Sequence, residues 1–186
     1  MPARNLTLTA ALLAALASTA AAQTGGAIAE PSGRATTTVS LRRGGQPGGR
    51  ITIEYGQPHA RGRKVMDGLI PSGSVWRLGA NAATMLTTDV DLVIGGTRVP
   101  KGSYTLWTMQ SQGKWQLIIN KQTGQWGTSY DQSQDLARVA MQSRRLAEPI
   151  ESFTIWLVPA AAGAARGTLR LAWGDVEAST EWSVAP

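Results

Sequence analysis

Val176 to Val184 alternates without interruption: Val176, Ala178, Thr180, Trp182 and Val184 fall on one side, Glu177, Ser179, Glu181 and Ser183 on the other. A period of two is the period of a half-buried strand, and no helix can bury such a set on one face. The pattern recurs in Arg50–Tyr55, where Ile51, Ile53 and Tyr55 oppose Arg50, Thr52 and Glu54, and again in Thr168–Trp173. Thr36–Leu41, Thr84–Thr88, Leu92–Ile94, Tyr104–Met109 and Trp115–Ile119 are further strand-like runs. Turn residues separate them. Gly95-Gly96 fits a two-residue hairpin, Pro100-Lys101-Gly102 a turn, and Gln110–Lys114 a five-residue hairpin loop around Gly113. Ile150–Val158 is apolar on both faces, as a central strand would be. Leu136–Leu146 fits either a helix capped by Asp135 or an extended chain. Together these give an all-β, single-domain antiparallel β-sandwich, jelly-roll-like, of about nine or ten short strands with little helix. Most of the seven Trp fall in the strands, where their expected role is core packing.

The N-terminus is of another kind. Residues 1–22 combine Arg4, an apolar stretch from Leu6 to Ala17, and an Ala20-Ala21-Ala22 cleavage pattern before Gln23. This is the form of a secretory signal peptide. The apolar stretch, at about 12 residues, is too short for the roughly 20 that span a bilayer. The expected organisation is a signal peptide over 1–22, a flexible leader over 23–35 and the β domain over 36–186. The mature chain is then exported, periplasmic or extracellular, with no transmembrane segment. It contains no Cys, so disulfides, thiolate metal sites and a cysteine nucleophile are excluded. A single His excludes a multi-His zinc site. No cofactor or metal is expected, although Asp89 with Asp91, and Asp131 with Asp135, supply oxygens that calcium can use.

Basic residues exceed acidic ones by 18 to 12, and the excess lies early. Between Arg34 and Lys64 stand Arg34, Arg42, Arg43, Arg50, Arg61, Arg63 and Lys64, opposed only by Glu54. The segment includes RRGGQPGGR at 42–50, within which Gly44–Gly49 reads as a turn or flexible loop. Such a patch attracts anionic partners: surface polysaccharide, phospholipid or phosphate. Nucleic acid is not expected, because no aromatic-interleaved motif accompanies the Arg residues.

Several stretches carry a family resemblance. They are Ile53-Glu-Tyr-Gly-Gln-Pro58, Arg61-Gly-Arg-Lys64, Gly68-Leu-Ile-Pro71, the block Gly73-Ser-Val-Trp-Arg-Leu-Gly-Ala-Asn-Ala-Ala-Thr84, Asp89-Val-Asp91, Gly95-Gly96, Pro100 to Leu106, Trp115 to Asn120, Trp126-Gly127, Tyr130-Asp131 and Asp135 to Arg138. In this order they resemble a bacterial exported family known only as a numbered domain of unknown function, number 2911. Gln57, Met66 and Ser72 depart from the usual Arg, Phe and Tyr. The resemblance implies an exported β-rich domain and transfers no activity.

Candidate site residues cluster between positions 54 and 81. Arg61 and Arg63 offer planar forks to phosphate or carboxylate beside a glycine, or tie their own loop. Trp76, Arg77 and Asn81 supply the ring, fork and amide of a sugar- or carboxylate-binding corner. Equally, Asn81 suits a left-handed turn and Arg77 suits a partly buried pair with Glu54, Asp131 or Asp135. His59 with Glu54 or Asp67 is the candidate acid–base pair, but no G-x-S-x-G elbow supports a nucleophile. The leading expectation is a non-enzymatic binding or envelope-associated module for an anionic or carbohydrate-like ligand. The alternatives are a small hydrolase-like enzyme using His59 and a purely structural domain.

Overall fold

In the computed structural model, which describes residues 30–186, Tyr55 lies edge-on to Phe153, with ring centroids 5.6 Å apart and the planes at 83°. The contact joins two parts of one sheet that are remote in sequence. The strands are β1 (Arg34–Arg43), β2 (Gln46–Gly56), β3 (Val75–Trp76), β4 (Thr84–Thr88), β5 (Leu92–Ile94), β6 (Thr97–Val99), β7 (Gly102–Ser111), β8 (Lys114–Asn120), β9 (Asp135–Pro159) and β10 (Arg166–Val184). All pairings are antiparallel, in the order β1-β2-β4-β7-β8-β9-β10-β5-β6, with β3 added to β7. The only helical element among the described residues is a 3-10 turn at Gln132–Gln134. The strands form a single ten-stranded sheet, an arrangement compatible with the expected sandwich. The signal peptide and residues 23–29 of the expected leader lie outside the described residues.

β9 makes the fold possible. It pairs with β8 through Asp135–Met141 and with β10 between Gln142 and Pro159, so one strand carries the chain from one section of the sheet to the other. At 25 and 19 residues, β9 and β10 are much longer than the short strands expected. Leu136–Leu146 is extended, not helical. Pairing with β8 buries Val139 and Met141 while Ala140 between them stays exposed, a period that only a strand satisfies.

Trp76, Phe153 and Trp173 meet at the centre of the core, with Trp76 stacked on Trp173 at 5.7 Å. Trp182 is 2% exposed, as its alternation requires. Five of the seven Trp are buried, which accounts for most of the Trp content.

Three expectations need correction. Residues 44–49 are not a loose loop: Gly44 and Gly45, with φ of 55° and 79°, form a two-residue turn, and Gln46 already belongs to β2. The β7–β8 connection is likewise two residues, Gln112 and Gly113, because Ser111 pairs with Lys114. Finally, Ile150–Val158 has only one strand neighbour among the described residues, β10. Its other edge is capped piecewise. Pro58 O accepts from Phe153 N, Tyr55 OH from Ile155 N and Thr37 Oγ1 from Leu157 N. These acceptors satisfy donors that would otherwise recruit another strand.

Candidate functional site

The candidate residues of positions 54–81 separate into distinct places. Glu54 is exposed on β2, in register with Thr36 and Met85. Trp76 is buried in the core. The His59 ring pairs through Nδ1 with Ser152 Oγ at 2.8 Å, and its backbone bridges to the same residue. The ring makes no hydrogen bond to Glu54 or Asp67, the carboxylates considered as its acid–base partners.

Arg61 and Arg63 belong to a loop built to be rigid. Val65 and Ile70 sink into the core, and Ile70 N donates to Val65 O at 2.9 Å. A Cβ on Gly68 would lie 2.2 Å from Lys64 O, so only glycine fits there. Arg61 N donates to Glu151 Oε1 at 2.7 Å. The Arg63 guanidinium folds back on its own loop, donating to Ala60 O at 2.9 Å and His59 O at 2.8 Å.

Beneath this loop lies a cavity of about 630 Å³, closed by Arg145 and Pro149–Glu151 of β9 and by Gly174-Asp175 of β10. Gly174 has φ 56° and sits against Val65. The β9–β10 register shifts on both sides of it, and this bulge opens the cavity. A second cavity of about 430 Å³ adjoins the first, sharing Met66, Asp67 and Arg145, and is lined further by Trp115, Gln110, Ser143 and Arg144.

The charges here are only lightly committed. Lys64 and Asp67 approach at 3.8 Å, both well exposed. Arg145 pairs with Asp175 while itself 83% exposed. Arg144 is bound more firmly, by two bonds to Glu177 at 2.9 and 3.1 Å, and Arg170 reaches the same carboxylate. Burial alone would push the Glu177 carboxyl up; Arg144 and Arg170 outweigh that and hold it below its ordinary value. Exposed pairs exchange partners at little cost, so Lys64 and Arg145 are available to an incoming anion. Neither Arg144, Arg145 nor Asp175 was singled out by sequence reasoning. The one signal was Gly174 interrupting an otherwise alternating run, the mark of a bulge.

Arg77 and Asn81 lie elsewhere, against the 120–138 segment. Leu78 and Asn81 both take positive φ, 51° and 63°, and Gly127 N donates to Asn81 O at 3.0 Å. The Arg77 stem fills the space where a Gly127 Cβ would stand. Arg77 does not pair with Glu54, Asp131 or Asp135. Its Nε is buried without a hydrogen-bond partner among the described residues. Two of these carboxylates are taken by others. Asp135 accepts from Arg138 Nε at 2.9 Å, Tyr130 OH at 2.7 Å and Asn120 Nδ2 at 2.9 Å, while Asp131 caps the 3-10 turn through Ser133. Burial, reinforced by the Asp135 carboxylate, pushes the Tyr130 hydroxyl up to about 12. Asp89 and Asp91 are occupied in the same way, by Arg50 N and by Lys101 N with Arg98. Among the described residues no three His, Asp or Glu side chains gather as a metal site would require.

The family model described as "Protein of unknown function (DUF2911)" matches residues 36–181. No curated protein and no solved structure matches the chain.

Proposed function

The chain belongs to this DUF2911 family, and on that premise we propose that it is an exported, non-enzymatic binding module whose ligand face is the cleft beneath residues 60–67. The ligand is anionic or carbohydrate-like. One observation carries this: two adjoining cavities share Met66, Asp67 and Arg145, and together they display Lys64 and Arg145, with Arg144 held to Glu177 at the wall, beside Asp67, Gln110 and Trp115. Forked donors, acceptor oxygens and an aromatic wall are what a chain bearing hydroxyls and carboxylates needs. Of the residues singled out in the sequence, Arg63 lies in this cleft, but its guanidinium is spent on the loop; Trp76, Arg77 and Asn81 lie apart from it. The hydrolase alternative rests on His59 beside Glu54 or Asp67, and the hydrogen bond its ring makes is to Ser152 instead.

The test is a melting-temperature screen with galacturonate oligomers, sulfated glycan fragments and inorganic phosphate. A ligand that binds only the native state raises the midpoint by mass action. The expected result is a rise with one of these classes that disappears in the R144A/R145A double variant. A rise that survives the double variant would place the site elsewhere, and no rise with any class would favour a purely structural domain. Export rests on residues 1–22. N-terminal sequencing of the protein recovered from the periplasm or medium is expected to begin at Gln23; recovery only of uncleaved protein in the cytoplasm would overturn the export reading.

A further inference from the structure

The arginine-rich hairpin does not take part in the cleft, and its surroundings are specific. A cavity of about 450 Å³ at its base is lined by Ser40, Leu41, Arg42, Pro47, Gly49, Arg50 and Asp89. A second, of about 570 Å³, shares Ser40, Leu41 and Arg42 and continues to Pro159 and the loop Ala161–Ala165. Two hairpin ends more than a hundred residues apart in sequence therefore flank one continuous groove. One brings guanidinium groups and the other brings methyl groups.

Both ends are held in shape. Arg42 donates to Gly45 O through Nε at 3.2 Å and through a terminal nitrogen at 2.8 Å. Ala164 N donates to Ala161 O at 3.0 Å, and Val184 N to Ala165 O at 2.8 Å. Arg42, Arg43, Arg50 and Arg166 are all exposed, and none enters an ion pair among the described residues. The one acid in the groove is Asp89, whose Oδ2 already accepts from Arg50 N. Val158, Pro159 and Ala160–Ala162 are exposed apolar residues beside these charges.

We propose that this end of the molecule docks on an anionic phospholipid surface, Arg42, Arg43, Arg50 and Arg166 meeting phosphates while the 158–165 loop enters the headgroup boundary. A soluble polyanion would use the arginines and leave the apolar loop and groove in water. An amphiphilic surface uses both, which is the combination that holds a protein at a membrane interface without spanning it. Each basic residue near an anionic leaflet strengthens binding about fivefold, and the attraction fades within a Debye length.

The test is co-sedimentation of the protein, in its naturally processed form verified by intact mass, with vesicles of phosphatidylglycerol in phosphatidylcholine and of phosphatidylcholine alone. Binding is expected only to the anionic vesicles, and it weakens as salt is raised. R43E/R50E is expected to abolish it and Ala162→Asp to weaken it at unchanged melting temperature, while R144A/R145A leaves it intact, so failure here is separable from failure of the cleft. Should R43E/R50E melt early, Arg43→Gln and Arg166→Gln, taken singly, are each expected to weaken binding about fivefold. Equal binding to both vesicle types, indifference to the arginine variants, or binding to inorganic polyphosphate without binding to vesicles would each overturn the proposal.

Discussion

The 120–138 segment and the cleft under 60–67 hold similar polar side chains and use them in opposite ways. In the first, polar groups are spent inward. Asn120 is fully buried and uses both its amide ends: Nδ2 donates to Asp131 O and Asp135 Oδ1, and Oδ1 accepts from Gln122 N. Asp135 takes Arg138 and Tyr130 as well. This network clamps the segment over the outer face of β7 and β8, where Trp107 and Ile118 form a small second core. In the cleft, Lys64 and Arg145 keep exposed, single-partner contacts facing open space. A polar group whose bonds are satisfied within the fold stabilises it, and one left with spare donors at a cavity is free to meet something else. Both segments lie within the residues that the family model matches, so membership of the family alone does not separate these roles.

Breaking the inward network has the largest expected effect. Asp135→Ala strips acceptors from Arg138, Tyr130 and Asn120 at once, and is expected to cost about 3 kcal/mol, the low end for breaking a buried pair because Arg138 is partly exposed. Urea denaturation measures it; a loss under about 1 kcal/mol would make the segment an ornament of the fold. Glu177→Gln comes next, at about 1 kcal/mol, discounted because Arg144 is largely exposed. The folded carboxyl lies below its ordinary value of 4.5, so its contribution is present above that pH and is lost as pH falls through the folded value. The parent and variant should therefore converge in stability in acid. A gap that persists at low pH would trace the loss to packing.

Tyr130→Phe is expected to cost slightly less at neutral pH. The hydroxyl is held at about 12 against an ordinary 10, so its contribution is complete below pH 10 and is lost as pH rises through 12. Alkaline unfolding of the parent should steepen across that interval, and the variant should lack that component. Smallest of all is Arg145→Ala, expected to change stability by less than about 0.5 kcal/mol, since an exposed ion pair contributes little. A large loss there would move Arg145 from the proposed ligand face to the scaffold.

What could be read in the sequence was local. The Val176–Val184 alternation placed Trp182 inside, and Gly95-Gly96 marked a turn that the structure contains. Where neighbours decide, the local pattern was insufficient. Leu136–Leu146 is extended because β8 offers it an edge, and the closure of β1 and β2 onto β9 is made by Thr37 and Tyr55, about a hundred residues from their partners. Of the carboxylates considered for Arg77, Asp135 is held by Arg138, Tyr130 and Asn120 and Asp131 by Ser133; spacing cannot rank competitors for one acceptor. The cleft was half visible. Arg63 and Lys64 were evident, but Arg144, Arg145 and Asp175 reach them only through the β9–β10 bulge.

The most direct measurement is an amide and indole nuclear magnetic resonance titration with a galacturonate tetramer, because Trp115 lines the cleft whereas Trp126 stands exposed on the 120–138 segment. The account predicts that the Trp115 indole and the amides of Lys64, Asp67, Arg145 and Gly174 shift together while the Trp126 indole stays fixed. Movement of Trp126 with Arg77 and Gly127, and stillness in the cleft, would contradict it.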